Sequence, residues 1–402
     1  MGKGARALLP NLILVAFGAL IVLAGLEIAL RILMPARKVY PPEQGRGKAS
    51  RFDERLGWAN KEGATAELKT PEFTANVTIN SKGLRGREVP YERTPGRARI
   101  ALLGDSFAWG FGVSDDEALA PQLERTLGEN AEVINMGVVG YGTDQEVLFY
   151  ESEGRRYSPD LVLLVFCLND VENNVSARDR WYGKPLFVLE GDSLQLTNVP
   201  VPEDASWDHW MRDYEMPAAE SPNKISFKRR FRAYTFLTER YYKLRERLQM
   251  VRPGLFADGL DANRERAWRV TFRLIERLRR DVEADGARFA VVLVPRLEQL
   301  RYDSWIRVNV TLGAFCEGAH IPFYDFLPAF RREPDGESMF FEHDGHWNAK
   351  GHAFAAGKLA EYLDTSRLLS DAAARVRDGD QASREAPAGM QSAADTLLAG
   401  GR

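Results

Sequence analysis

The sequence predicts an α/β protein, a flavodoxin-like three-layer α/β/α sandwich around a mostly parallel sheet, preceded by one transmembrane helix. Three observations predict it. Short continuous apolar runs, IALLG from Ile100, DLVLLVF from Asp160 and FAVVLVP from Phe289, read as strands buried on both faces, as strands of a parallel sheet are. Stretches with apolar residues at helical spacing alternate with those runs, which makes the connections helices. An uncharged, mostly apolar stretch fills residues 7–26 near the amino terminus. Composition sets the outer bounds. A chain of 402 residues, 45% hydrophobic and 28% charged, is neither wholly disordered nor collagen-like nor a coiled coil. A net charge of −3 leaves no basic excess for nucleic acid, and no acidic run suggests calcium buffering.

The amino-terminal stretch comes first. Twenty residues of helix rise about 30 Å, the thickness of a bilayer's hydrocarbon core. A cleaved signal peptide is the rival reading, but its apolar region is typically about 7–15 residues and ends in a small-x-small cleavage site. Here the run is longer and continues as EIALRILMPARK. Residues 1–35 are therefore expected to form an uncleaved single-pass anchor. Lys3 and Arg6 precede the span and Arg31, Arg37 and Lys38 follow it, so the count of positive charges does not decide orientation.

Residues 36–97 are rich in Pro, Gly and charge. Within them EFTANVTINSKGLRG alternates as a strand leading to a Gly turn, so the segment reads as a stalk with a β extension. The main domain spans 98–365. After IALLG, Leu119, Leu123 and Leu127 fall on one helical stripe; AEVINMG and LVLLVF follow as strands. Residues 176–260 interrupt the alternation as an insertion. It opens with LFVLEGDSLQLTNV, a hairpin around Gly191-Asp192, and goes on to Trp207, Trp210 and Tyr214. With Trp181 and Tyr182 these aromatics suit either a sugar-binding platform or a small satellite core. Ala267, Val270, Leu274, Leu278 and Val282 then mark a long amphipathic helix ending near Gly286. FAVVLVP and IPFYDF supply two more strands, and Gly351 to Leu363 the last helix. Residues 366–402 lack an apolar period and read as a disordered tail.

Four stretches carry the chemistry, each following a strand. GDSFAWGFGV places Ser106 at the carboxyl edge of the sheet, where open α/β sheets bind ligands. The tripeptide alone says little, since Gly191 to Ser193 repeats it inside the predicted hairpin. INMGVVGYGTDQ opens a glycine-rich loop in which a backbone N–H could face a developing oxyanion; a tight turn needing positive φ explains the glycines equally well. In FCLNDV, Asn169 either donates a second oxyanion hydrogen bond or, like Asp170, caps the next helix. In HDGHWNAKGH, His346 can serve as general base with Asp344 orienting it, the parts needed to make a hydroxyl nucleophilic. Three of the chain's five histidines, His343, His346 and His352, lie here, but as a metal site they lack a third ligand of suitable spacing. No metal or cofactor is expected. Cys167 and Cys316 form no CxxC pair and are either buried thiols or one disulfide.

The order serine, glycine amide, asparagine amide, then aspartate and histidine resembles the SGNH hydrolases, the GDSL lipase/acylhydrolase superfamily, over about Arg99 to Leu363. The resemblance implies Ser106 as nucleophile and oxyanion donor, Gly140 and Asn169 as further oxyanion donors, His346 as base and Asp344 as its acidic partner. One departure stands out: the family usually carries Asp-x-x-His, and the position three before His346 is His343. Asp344 gives Asp-x-His instead, with Glu342 as the other available acid. That spacing, followed by Trp347, resembles the branch containing alginate-type polysaccharide O-acetyltransferases and related membrane-anchored enzymes, as do the anchor and the NSKGLRG lead-in. Three functions are compatible: hydrolysis of acyl, chiefly acetyl, esters on an extracytoplasmic glycan or lipid; acetyl transfer to an exported polysaccharide with export or acetylation partners; or a non-catalytic glycan-binding or assembly role.

Overall fold

The computed structural model describes residues 45–179, 182–203, 261–301 and 306–370, together with helical positions 14, 17, 18, 21, 22 and 24–30. The chain divides into two compact units. One comprises Met1–Pro42 and Met216–Ala262, the other Glu43–Glu215 and Asn263–Arg402. Among the described residues no helix is long and apolar enough to cross a membrane. Most of the expected anchor, residues 204–260 of the insertion and the tail from 371 lie outside the described residues.

Within the second unit the amino-terminal residues build two antiparallel hairpins. Strand β1 (Ser50–Asp53) pairs with β2 (Gly57–Asn60), and β3 (Thr65–Lys69) with β4 (Thr74–Thr78). The last two strands alternate strictly between exposed and buried positions. Their inward face, Ala66, Leu68, Ala75 and Val77, packs with Phe73 and Ile79 against Trp109 and Phe111. From residue 45 onward the expected stalk is thus a packed β layer, because an alternating apolar face must be covered.

The central sheet contains β5 (Ala98–Gly104), β6 (Ala131–Gly137), β7 (Leu161–Phe166), β12 (Arg288–Leu293) and β13 (Phe323–Asp325), all parallel, in the order β13-β12-β7-β5-β6. Counted by their own succession this is 2-1-3-4-5, the flavodoxin-like order. Alternate residues of each strand feed opposite cores. Ala101, Leu103, Val162, Leu164, Val291 and Leu293 face helices α3 (Thr143–Ser152), α5 (Asp261–Ala284) and α7 (Arg307–Gly318). Ile100, Leu102, Leu163, Val165, Ala290 and Val292 face α2 (Leu119–Leu127), α8 (Leu327–Arg332) and α9 (Ala349–Thr365). Two faces, each with its own helices, give the three layers. The five apolar residues expected on the helix 267–282 are all buried in the first core. Cys167 and Cys316 are free, buried thiols in opposite cores, which rules out a bridge between them.

The described part of the insertion holds two short strands, β8 (Arg178–Asp179) and β9 (Tyr182–Gly183), and the expected hairpin, β10 (Leu186–Glu190) with β11 (Ser193–Thr197). Glu190 pairs with Ser193 across the turn, so the second GDS tripeptide sits on an exposed hairpin and not at a strand-to-helix junction of the sheet. Tyr182 is buried against Trp58, with ring centroids 5.6 Å apart, and is a core residue rather than a sugar platform. Trp181, Trp207, Trp210 and Tyr214 lie outside the described residues.

Candidate active site

The chain leaves β5 for one edge of the sheet and β7 for the other. Between those strands lies the switch point at which open α/β sheets form their crevice. The first side of the crevice is built at Gly104. A Cβ there would stand 2.7 Å from Ala108 Cβ and 2.8 Å from the Val165 carbonyl oxygen, so only glycine lets the chain turn this close to β7. Asp105 then caps the four-residue helix α1 (Ser106–Trp109), its Oδ1 accepting from the Phe107 N–H at 2.9 Å. Ser106 follows as the first helical residue and is 8% exposed.

The second side comes from the segment before α9. Ser106 Oγ lies 2.7 Å from His346 Nε2, and His346 Nδ1 lies 2.5 Å from Asp344 Oδ1. Burial works to raise the Asp344 carboxyl, but the hydrogen bond and charge of His346 outweigh it and hold the group below its ordinary value. An ionised Asp344 fixes the tautomer: Nδ1 donates to it, and Nε2 accepts from the serine hydroxyl. Both ring nitrogens are then engaged, leaving none for a metal ion. His343 is exposed and His352 is buried against Trp347, its pKa lowered to about 3 mainly by burial. Of the two acids considered, Asp344 meets the imidazole, while Glu342 is exposed. The imidazole itself is wedged between Phe107 and Phe111, at 4.8 and 4.9 Å between centroids. Trp347, fully buried among Phe107, Phe326 and Phe330, roots the segment in the core.

Two further groups follow the neighbouring strands β6 and β7. Gly140, in the loop after β6, has φ +83°, a conformation glycine tolerates freely. Trp58 of β2 pins the loop on either side of it: Trp58 Nε1 donates to the Val139 carbonyl at 2.9 Å, and the Tyr141 hydroxyl donates to the Trp58 carbonyl at 2.6 Å. Asn169, just past β7, precedes the short helix α4 (Asp170–Asn173) without capping it through its side chain. Its amide instead donates to Asp105 Oδ2 at 3.3 Å. The structure therefore gathers Ser106, His346 and Asp344 into one hydrogen-bonded chain and brings Asn169 beside it through Asp105.

Several contributors were not foreseen from sequence. Arg85, fully buried, donates to the carbonyls of Trp109 and Gly110 at 2.8 and 2.5 Å and of Val113 at 2.5 Å, and pairs with Asp115 at 3.0 Å. It locks the loop that carries Phe111 and gives the NSKGLRG stretch a task. Beneath the site lie four buried acids, Asp105, Asp144, Glu146 and Asp170. Asp144 pairs with the equally buried Lys184 at 2.8 Å. Burial raises all four carboxyls, Glu146 and Asp170 well above the ordinary range. Asp105 was legible as part of GDS. Asp170 stood out only as a possible helix cap, and Asp144 and Glu146 fall within apparently helical sequence and gave no signal.

A serine hydroxyl on an imidazole that a carboxylate orients, at the switch point of a parallel sheet, defines an enzyme of the serine acyl-transfer class. Sequence models of two families match the chain: the GDSL-like lipase/acylhydrolase family over residues 102–188, and the SGNH hydrolase-like domain of the acetyltransferase AlgX over residues 255–397. Both matches are to SGNH-type domains, and together with the site they support an esterase or O-acyltransferase of the SGNH type. Solved structures similar to it include a GDSL-like lipase from Bacteroides thetaiotaomicron, 12% identical over 67% of this chain and 88% of that one, TM-score 0.35. A lipase/acylhydrolase from Enterococcus faecalis is 14% identical over 67% and 96%, TM-score 0.36. A member of the lipolytic G-D-S-L family from Veillonella parvula is 13% identical over 66% and 97%, TM-score 0.37. No curated protein sequence matches the chain.

Proposed function

We propose that the protein is a serine-dependent acyl-ester hydrolase acting on an acylated, chiefly acetylated, extracytoplasmic glycan or lipid. The observation that carries this reading is the continuous chain Ser106–His346–Asp344. Ser106 Oγ attacks the ester carbonyl carbon as its proton passes to His346 Nε2. The tetrahedral oxyanion is held by the N–H groups of Ser106 and Gly140 and by the Asn169 amide. Its collapse breaks the bond to the alcohol oxygen, which takes the proton from His346, and leaves the acyl group on Ser106. Water, deprotonated by His346, then attacks the acyl carbon; the bond to Ser106 Oγ breaks, the serine oxygen recovers its proton from His346, and the acid leaves.

The match of residues 255–397 to an acetyltransferase domain favours a second reading, in which an acceptor hydroxyl on an exported polysaccharide replaces that water. This route needs an acyl donor and the partners that deliver it. In either case residues 7–26 tether the chain to a membrane with the catalytic domain on its outer face. The apolar side chains of Leu14, Phe17, Ile21, Val22 and Ile28, exposed on their helix, support the tether.

Ser106→Ala tests the reading. Wild type is expected to turn over an activated acetyl ester and to be labelled by a fluorophosphonate, and the variant to do neither. Full labelling of the variant, or none of the wild type, sinks the assignment. A time course with and without glycan acceptor separates the two routes: acetate released regardless of acceptor marks the hydrolase, and acceptor-dependent acetylated glycan the transferase.

A further inference from the structure

The catalytic aspartate and histidine sit on a loop with little regular structure, between the bridge residue Phe340 and the start of α9. Something must hold that loop to the serine, because a displacement of about 1 Å in such a constellation can cost on the order of 10²-fold in rate. The β3–β4 hairpin reaches it. At the hairpin's turn, Glu72 Oε1 accepts from the His343 N–H at 3.0 Å and Glu72 Oε2 from the Asp344 N–H at 2.9 Å. Each carboxylate oxygen thus takes one backbone donor of the residues just before the base. Beside it the Phe73 ring packs on Phe341 at 4.9 Å and on Phe111 at 5.6 Å, and Phe111 is one of the two rings against His346. The turn is itself stiffened: Thr70 Oγ1 accepts from the N–H groups of Glu72 and Phe73, each at 3.2 Å.

We infer that Glu72 is a positioning residue for the acid–base loop, so that the segment ahead of the α/β domain is a working part of the active site. This rests on the proposed Ser106–His346–Asp344 mechanism. A charge-assisted pair of hydrogen bonds onto consecutive N–H groups fixes the backbone of Asp344 in two directions, and through its carboxylate the imidazole. Glu72 touches neither serine nor imidazole. Its loss is therefore expected to act on the chemical step and to leave ground-state binding of a small ester unchanged.

The test uses the full chain and a small activated acetyl ester, with Glu72→Ala, Glu72→Met and Glu72→Gln beside Ser106→Ala. Methionine keeps the length of the side chain without its oxygens; glutamine keeps one acceptor. Expected are a fall in kcat of about 10–100-fold for Ala and Met, KM within about twofold of wild type, and a parallel slowing of fluorophosphonate labelling. Gln should recover part of the lost kcat at an unchanged melting temperature. The inference is overturned if a folded Ala or Met variant keeps kcat within about twofold of wild type, or if Gln is no better than Met. Turnover surviving in Ser106→Ala sinks the mechanism itself. A dead Ser106→Ala beside a fully active Glu72→Met sinks only the role of Glu72.

Discussion

The Asn169 amide donates to Asp105, the residue immediately before the serine, at 3.3 Å. One of its two N–H groups is thereby spent on orientation, leaving the other for a ligand in the crevice. The carboxylate that orients it is fully buried; burial pushes its pKa up, against the Phe107 N–H, the His346 charge and the Asn169 amide itself. The amide is thus tied to the same turn that delivers the nucleophile, so donor and nucleophile keep a fixed separation.

Replacing Asn169 with Ala removes this donor while leaving the serine, histidine and aspartate in place. In the proposed mechanism kcat should fall by about 10²–10³-fold, as for loss of one oxyanion donor elsewhere. Fluorophosphonate labelling should slow as well, because its phosphoryl oxygen occupies the same place. Steady-state kinetics with a small ester checks this, and a kcat within fivefold of wild type would remove Asn169 from the oxyanion hole.

Asp344→Asn keeps the shape of the acid but lets the imidazole take the wrong tautomer, for which a loss of about 10⁴ in kcat is the expected scale. Glu342→Gln should leave kcat within twofold, since the side chain is exposed. The pH dependence has a definite sign. The Asp344 pKa is depressed in the folded chain, so its contribution to stability is present above its unfolded value of about 3.9 and lost as pH falls through the folded one. Activity measured from pH 8 down to pH 5 should therefore show no limb belonging to Asp344. Equal activity of the Asn variant and wild type at any pH in that range would contradict its role.

Glu146 presents the opposite case. It is buried, neither carboxylate oxygen has a hydrogen-bond partner, and burial, with Asp105 and Asp144 adding to it, raises its pKa well above the ordinary value. A carboxyl whose folded pKa is raised binds more protons folded than unfolded. It costs stability increasingly as pH rises above the unfolded value of about 4.3. Glu146→Gln should thus melt higher than wild type at pH 7–8 and show no such gain at pH 4. A gain of equal size at both pH values, or a loss at pH 8, would count against a strained carboxyl at this position.

Much of this architecture is legible in sequence because a parallel sheet writes itself in plain apolar runs. Leu161 to Phe166 is buried throughout and reads so residue by residue, and the stripe from Ala267 to Val282 announces its helix. The second GDS tripeptide could be set aside for the same reason, since no buried strand precedes Ser193. The residues that share the site were also legible. Ser106, Gly140 and Asn169 stand out because each follows the end of a buried strand within three residues, whereas Asp344 and His346 come after β13 only beyond α8 and were read from their own Asp-x-His spacing. The partners of those residues were not legible. Glu72 meets the acid–base loop across 271 and 272 positions, and Arg85 meets the nucleophile loop across 24 to 28. Neither contact leaves a periodic trace, because a hydrogen bond to a backbone group places no demand on the identity of its partner. Lys184 is invisible for a related reason: a lysine in an apparent loop reads as solvated until Asp144 is found beside it.

Ser106 and its base are 240 positions apart in the chain. At an elongation rate of about 5–20 residues per second, roughly 12–48 s separate the appearance of the hydroxyl from that of the imidazole. Throughout that interval the growing polypeptide holds an ordinary alcohol. In the proposed mechanism its reactivity switches on only when the segment ahead of α9 brings the ring into place, so a chain ending short of His346 is expected to leave the esters around it untouched.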